Sequence, residues 1–256
     1  MASTPKAPEL LRRAVSTVAC QSHLPSRVVI VFDRTFPDVD TLRQVEMDCS
    51  ALSLMTLRNS GHPGAAGAWN TGLRWLQQAG FEGYVAILDD DDEWDPGHLE
   101  CCLAASAGGS ADVVISGLRV LRDGVELPRV PLMSASRDDF LAGNPGWQGS
   151  NTFVRHSTLW RVGGFTEGMT STNDRDLAVR ILGLPDVTTA FTGRMTATWH
   201  IRTGSDALSR PGSTEKREGL LQFYAAHREL MTADIKARFM KRAKDVFGVD
   251  IEGGQV

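Results

Sequence analysis

The run Tyr84-Val-Ala-Ile-Leu-Asp-Asp-Asp-Asp-Glu-Trp94 constrains this chain more than any other stretch. Residues suited to the inside of a sheet are followed at once by four aspartates, Asp89 to Asp92, whose charges repel unless something positive stands among them. A strand that delivers carboxylates to one sheet edge makes half of a site for a hard divalent cation, Mg²⁺ or Mn²⁺, and substrate phosphates can complete it. The plainer alternative is an acidic turn that caps the next helix, since carboxylates are also favoured near helix N-termini.

The flanking pattern says what kind of sheet carries this run. Pro8 to Gln21 has Leu11, Val15, Val18 and Ala19 at helical spacing behind a first-turn proline. Arg27 to Phe32 is a β-branched run of the kind buried on both faces of a parallel sheet, and it ends in Asp33, at the edge where open α/β sheets bind ligands. A helix over Thr41 to Cys49, a strand over Ala51 to Leu57 and a helix over Ala65 to Gln78 follow, the last with Trp69, Leu73 and Leu76 on one stripe. The alternation predicts a doubly wound, mostly parallel α/β sheet.

Beyond Gly108 the pattern changes. Asp112 to Leu121, the turn Asp123-Gly124 and Val125 to Leu127 predict an antiparallel element. Asn144 to Thr152 is a glycine-rich loop whose Trp147 and Gln148 are expected to face a ligand. A helix is expected after Asn173-Asp-Arg-Asp-Leu177, an extended segment over Thr188 to His200, and helices over Thr214 to Phe247. The expected organisation is one catalytic domain over residues 1–205, divided near 110, with a C-terminal helical extension over 206–256.

Composition narrows the partners. Of the 256 residues 42% are hydrophobic and 23% charged, with a net charge of -4, so no overall positive field draws in a nucleic acid. No apolar run reaches the roughly 18 residues of a membrane span, and the first residues lack the apolar core of a signal peptide, so a cytoplasmic location is expected. Cys20, Cys49, Cys101 and Cys102 have neither zinc-ligand spacing nor disulfide-scaffold density. The last helix interleaves Lys236, Arg238, Lys241, Arg242 and Lys244 with apolar residues; a solvated face is the favoured reading and membrane contact the other.

Taken in order, Asn59-x-Gly61, Ala68-Trp-Asn70-Thr-Gly72, Tyr84 to Trp94, Arg161-Val-Gly-Gly-Phe165 and Asn173-Asp-Arg-Asp-Leu177 resemble a family 2 glycosyltransferase of the GT-A fold over roughly residues 8 to 205. The resemblance implies a metal-dependent, inverting enzyme of the hexosyltransferase type. It would move a sugar from a nucleoside-diphosphate sugar to a hydroxyl of an acceptor, expected to be small or soluble. It places Asp89, Asp90 and Asp91 on the donor diphosphate and its cation, with Asp91 the direct metal ligand, Asp89 toward the ribose, and Asp92 assisting metal or sugar. Asp33 and Asn70 fall in the donor pocket. Asp174 falls where the family keeps its general base, and an ionised aspartate can take the proton of the attacking hydroxyl. His200 falls where some relatives add a metal ligand, a donor that suits Mn²⁺ better than Mg²⁺. Asp176 is assigned to structure, holding Arg175 and Arg180.

The sequence also departs from the family. The opening Val-Ser-Val-Ile-Ile-Pro type of strand is absent from Met1 to Ala7, so the first strand is expected to be missing, which would leave backbone groups of a central sheet unpaired. Asp33 is followed by Arg34 instead of a second acid, Trp69 replaces an arginine, and Asn173 replaces the glutamate before the base. Two competing functions share the fold. One is a catalytically silent GT-A-like binding domain, and the other is a sugar nucleotidyltransferase, whose N-terminal glycine-rich, basic loop has no counterpart here.

Overall fold

The computed structural model describes residues 1–3, 7–202 and 212–251. The expected boundary at residue 205 lies outside the described residues. After a two-residue strand β1 (Ala2–Ser3), the first half alternates as the sequence predicts: α1 (Pro8–Ala19), β2 (Val28–Phe32), α2 (Val39–Asp48), β3 (Leu54–Arg58), α3 (Ala65–Gln78) and β4 (Tyr84–Ile87). A short β5 (Glu93–Trp94) follows the aspartates and leads to α4 (His98–Ala105). The second half holds β6 (Val113–Arg122), β7 (Val125–Leu127), α5 (Arg137–Ala142), β8 (Thr152–Arg155), α6 (His156–Arg161), α7 (Asn173–Ile181) and β9 (Thr189–Ile201), then α8 (Thr214–His227) and α9 (Ala233–Phe247).

The fold is the mixed α/β layering expected, but its pairing is less parallel. Strands β1, β2 and β3 form one parallel sheet, and a second sheet runs β4-β8-β6-β9-β5 with β7 beside β6. In that sheet β4 pairs antiparallel with β8, β8 antiparallel with β6, and β6 parallel with β9. Alternation along a chain specifies helices and strands but not which strand lies beside which, so β8, about 65 residues further on, was free to pair with β4.

The expectation of a missing first strand is corrected in part. Ala2 and Ser3 pair parallel with Val31 and Phe32, and the Met1 amine donates to the Val29 carbonyl at 2.7 Å while Val31 N–H donates to the Met1 carbonyl. These bonds satisfy the C-terminal end of β2. Alongside its remaining length, β2 and β4 face each other across an apolar cavity of about 500 Å³ lined by Val29, Val31, Gly72, Leu73, Val85 and Ile87.

Two cores flank this division. Val31, Leu73, Ile87, Val113, Phe140, Trp147, Leu177, Phe223 and Phe239 belong to one; Val15, Ile30, Phe32, Leu88, Trp94, Val114 and Phe153 belong to the other. Helix α9 sends Ile235, Phe239 and Ala243 into the first core, so its apolar stripe is covered by protein. Its basic side points outward, with Lys241 paired to Asp245 at 2.6 Å. No helix among the described residues is long and apolar enough to cross a membrane.

Gly72 lies inside α3, and a methyl group there would meet Val31 Cγ2 at 3.5 Å and Val29 Cγ1 at 3.8 Å, both ordinary contacts. Gly72→Ala therefore adds helix propensity and apolar contact without collision. It is expected to raise stability by about 1 kcal/mol, read as a higher urea midpoint at unchanged slope; an unchanged or lower midpoint would refute this view of the cavity wall.

Candidate functional site

Strand β4 ends against the loop after α5, and that contact builds the site. Asn144 folds the loop back on itself, its Oδ1 accepting the N–H groups of Gly146 and Trp147 and its Nδ2 donating to the Trp147 carbonyl. Trp147, expected to face a ligand, is instead wholly buried, its ring set edgewise to Phe140 and its indole N–H donated to Thr152 at 2.7 Å. Burying this large ring anchors the loop and presents Gly149 and Ser150 to the aspartates.

Gly149 is the hinge point of the site. A Cβ there would stand 3.2 Å from both an Asp89 carboxylate oxygen and the Trp69 ring, so a bare α-carbon lets Asp89 pack in. The Gly149 N–H lies close enough to Asp174 to favour its charged form. One residue thus touches the first acid of the aspartate run and the candidate base on α7.

The four aspartates have different tasks. Asp92 is buried, with one oxygen accepting the Ser150 hydroxyl at 2.5 Å and the other the His200 N–H at 3.0 Å. Both of its oxygens are engaged, so it joins β9 and the Ser150 loop to the β4 end. Burial first, and the neighbouring Asp91 second, push its pKa up to about 8. Asp89 is raised well above the usual carboxylate range by burial and then by the charges of Asp92, Asp91, Asp174 and Asp90. Burial also raises Asp91, against the attraction of Arg202, Arg13 and His200. Arg13, from α1, donates to the Asp91 carbonyl at 2.6 Å.

His200 lies beside this group but aims at another partner. Its Nε2 stands 2.8 Å from Glu93 Oε1, which Arg13 Nε also meets at 2.8 Å. Burial and Arg13 lower the imidazole pKa below its ordinary value, which favours the unprotonated ring that a metal ligand needs. Asp33 accepts from Asn59 at 2.7 Å and meets Arg34 at 3.4 Å, at the end of β2. Asn70 is turned away to a brace: its amide donates to the Phe165 carbonyl and Glu167 and accepts the Phe165 N–H at 2.8 Å. Among the described residues no three His, Cys, Asp or Glu side chains converge as a closed metal site. Asp89 and Asp91, both raised in pKa with Asp91's charge among the causes at Asp89, still fit the partial site that a substrate's phosphates complete.

Asp174 begins α7 with one carboxylate oxygen buried and unpartnered among the described residues. Burial raises its pKa to about 7, opposed chiefly by Lys216. Asp176, two residues on in the same first turn, is held by side-chain partners, Arg180 as expected but not Arg175. It holds Arg180 at 2.7 Å and His227 at 2.8 Å, while Arg175 donates instead to the carbonyls of Phe140 and Leu141. Burial would raise Asp176, yet His227, Arg180 and Thr166 hold it below the usual range.

A family model for glycosyl transferase family 2 matches residues 4–173 of this geometry. The chain belongs to that family. Over 119 residues it is 31% identical to the succinoglycan biosynthesis protein ExoW of Rhizobium meliloti (strain 1021), which covers 41% of this chain and 36% of that protein. The chain thus spans about a third of that relative's length. Two solved structures share the fold. TarS 1-349 of S. aureus in complex with UDP-GlcNAc superposes with a TM-score of 0.70 at 18% identity, covering 99% of this chain and 74% of that one. The mannosyltransferase PcManGT from Pyrobaculum calidifontis in complex with GDP-Man and Mn²⁺ gives 0.63 at 16%, covering 95% and 67%.

In this family member, Gly149, Ser150, Arg13, Glu93, Lys216 and His227 were not singled out from the sequence as site residues. Only the glycine-rich character of the 144–152 loop pointed toward the first two.

Asp92 offers a direct test of the electrostatics. Its folded pKa of about 8 lies above the ordinary value of about 3.9, so the folded state holds an extra proton between the two and stability falls as pH rises through that window. Asp92→Asn keeps an acceptor for His200 N–H and an amide for Ser150. Without divalent metal it is expected to flatten the decline from pH 5 to 8 and raise the melting temperature at pH 8 by about 2–4 °C. Calorimetry across that range decides it, and an unchanged slope would count against the assignment.

Proposed function

We propose that this glycosyl transferase moves a sugar from a nucleoside-diphosphate sugar to an acceptor hydroxyl with inversion, using Asp174 as general base. The observation that carries this reading is the pairing of carboxylates at Gly149. Asp89 packs on its α-carbon, and Asp174, with one buried unpartnered oxygen among the described residues, lies within the influence of its N–H. Two carboxylates on one rigid element suit a reaction that needs a leaving-group site and a base at fixed separation. The TarS complex with UDP-GlcNAc and the PcManGT complex with GDP-Man and Mn²⁺ support a nucleotide-sugar donor and a divalent cation here.

Asp89 and Asp91 would hold the cation, and Asp92 would hold the backbone beneath them. Bound there, a Mg²⁺ or Mn²⁺ ion supplies positive charge against the departing nucleoside diphosphate. Asp174 accepts the proton of the attacking hydroxyl, and its pKa of about 7 makes it a stronger base than an ordinary aspartate while leaving it half ionised at neutral pH. Asp33 stands at the end of β2, fixed by Asn59, where it can meet the nucleoside.

UDP or GDP with Mn²⁺ is expected to raise the melting temperature of the wild-type protein, and Asp91→Asn to abolish the rise. Asp174→Asn should keep the rise and lower sugar transfer or donor hydrolysis by about 10²–10⁴-fold. The wild-type rate should climb as pH passes through about 7 and then level off, because only ionised Asp174 accepts the proton. Absence of nucleotide stabilisation with either base, or a flat profile from pH 6 to 8, would sink the proposal.

A further inference from the structure

Behind Asp174 lies a group of cations that the reaction described above does not use. Lys216 sits in the first turn of α8, capped by Ser213, yet its side chain folds inward and the residue is only 8% exposed. Its ammonium stands 4.4 Å from the Phe247 ring centroid and has no carboxylate within ion-pair distance among the described residues. Arg175, 5% exposed, stacks on Phe223 with its guanidinium carbon 4.0 Å from the ring centroid. Arg242 also approaches Phe247, 6.0 Å from its centroid, and reaches along Gly143, where a Cβ would be 3.2 Å from its Cδ. Arg129 adds its charge to that of Arg242.

Among the described residues the charges do not balance. Burial lowers Lys216 to about 8 with help from Arg175 and Arg242, and the carboxylate that resists this is Asp174. Burial and Arg242 lower Arg175 to about 9. Neither Arg175 nor Arg242 has an ion pair among the described residues, and Arg175 spends two donors on main-chain carbonyls. Buried positive charge without a counter-charge is costly, and the cost is relieved when a ligand supplies the negative partner. The aspartate end of β4 repels anions, so an anionic ligand that comes near Asp174 is drawn to the Lys216 side.

We infer that the acceptor carries an anionic group, a phosphate or a carboxylate, near the hydroxyl that receives the sugar, and that Lys216 and Arg242 bind it. This rests on Asp174 being the base that meets that hydroxyl. Lys216 supplies a buried point charge and Arg242 a planar donor fork at the more open side, a combination suited to oxyanions. Both cations lie within cation–π distance of Phe247.

The test uses the full chain in EDTA, so that the diphosphate site contributes nothing, and titrates it with inorganic phosphate and separately with D-glucuronate, with glucose as the neutral control. Both anions should raise the melting temperature of the wild-type protein and of Asp91→Asn alike, and glucose should not. Stabilisation by phosphate alone would assign the group as phosphate, and by glucuronate alone as carboxylate. Lys216→Met, which removes an uncompensated buried charge and should fold at least as well as wild type, should weaken binding at least tenfold. Arg242→Gln, at a largely exposed position, should weaken it several-fold.

An unchanged response in both variants, or no response of the wild-type protein to either anion, would overturn the inference. Either result with intact Asp91-dependent nucleotide stabilisation sinks the anion site alone. Loss of nucleotide stabilisation with an intact anion response sinks the glycosyl-transfer reading and leaves the anion site standing.

Discussion

Crowding of like charge at the end of β4 is the constraint that the rest of this structure answers. Asp89 to Asp92 follow one another with no spacer, and Asp174 arrives from α7 to face the first of them. Separate devices keep the group folded. Asp92 is tied off by a hydroxyl and a main-chain N–H, Asp91 stands within the field of Arg202 and Arg13, and Asp89 packs on Gly149 with its pKa raised by burial. Each device recruits a different element: β9 through His200, α1 through Arg13, and the α5–β8 loop through Ser150. The tertiary structure around the site is therefore organised by the need to disperse this charge as well as by the hydrophobic cores.

Much of the first half was legible because its signals are local. The β-branched run at Arg27 to Phe32, the stripe of Trp69, Leu73 and Leu76, and the step from Leu88 to Asp89 each report an element from its own residues, and β2, α3 and β4 lie where they point. The acidic end of β4 and the start of α7 do meet, as the order of the motifs implied. Illegible parts depend on distant pairing. That β4 lies beside β8, that Trp147 is core, and that Asn70 braces the 164–167 turn are all decided by packing between segments far apart in the chain. A glycine-rich loop with one tryptophan reads the same whether the ring faces ligand or core.

The opening strand shows how backbone accounting can override a motif comparison. Met1 to Ser3 carry no β-branched apolar run, yet their main-chain groups satisfy those of Val29 and Val31, because an unpaired amide beside a buried strand costs more than a weak sequence preference. Ala2 and Ser3 pair with the end of β2, which lies next to Asp33. Along the rest of that edge, apolar side chains line the cavity.

The same electrostatics tie donor and base together. Ionised Asp174 raises the pKa of Asp89, and because a pairwise interaction is reciprocal, ionised Asp89 resists the ionisation of Asp174 by an equal free energy. Neutralising Asp89 and Asp91, by proton or by cation, removes that resistance. In the proposed reaction the base then gains charge when the donor side is neutralised, so the hydroxyl is activated where a leaving group is already held. Lys216 acts from the opposite side, favouring the ionised base. A carboxylate set between an acidic wall and a basic corner takes its ionisation from whichever neighbour is compensated. The position of α7, fixed by Asp176 through Arg180 and His227, sets the distance over which both neighbours act.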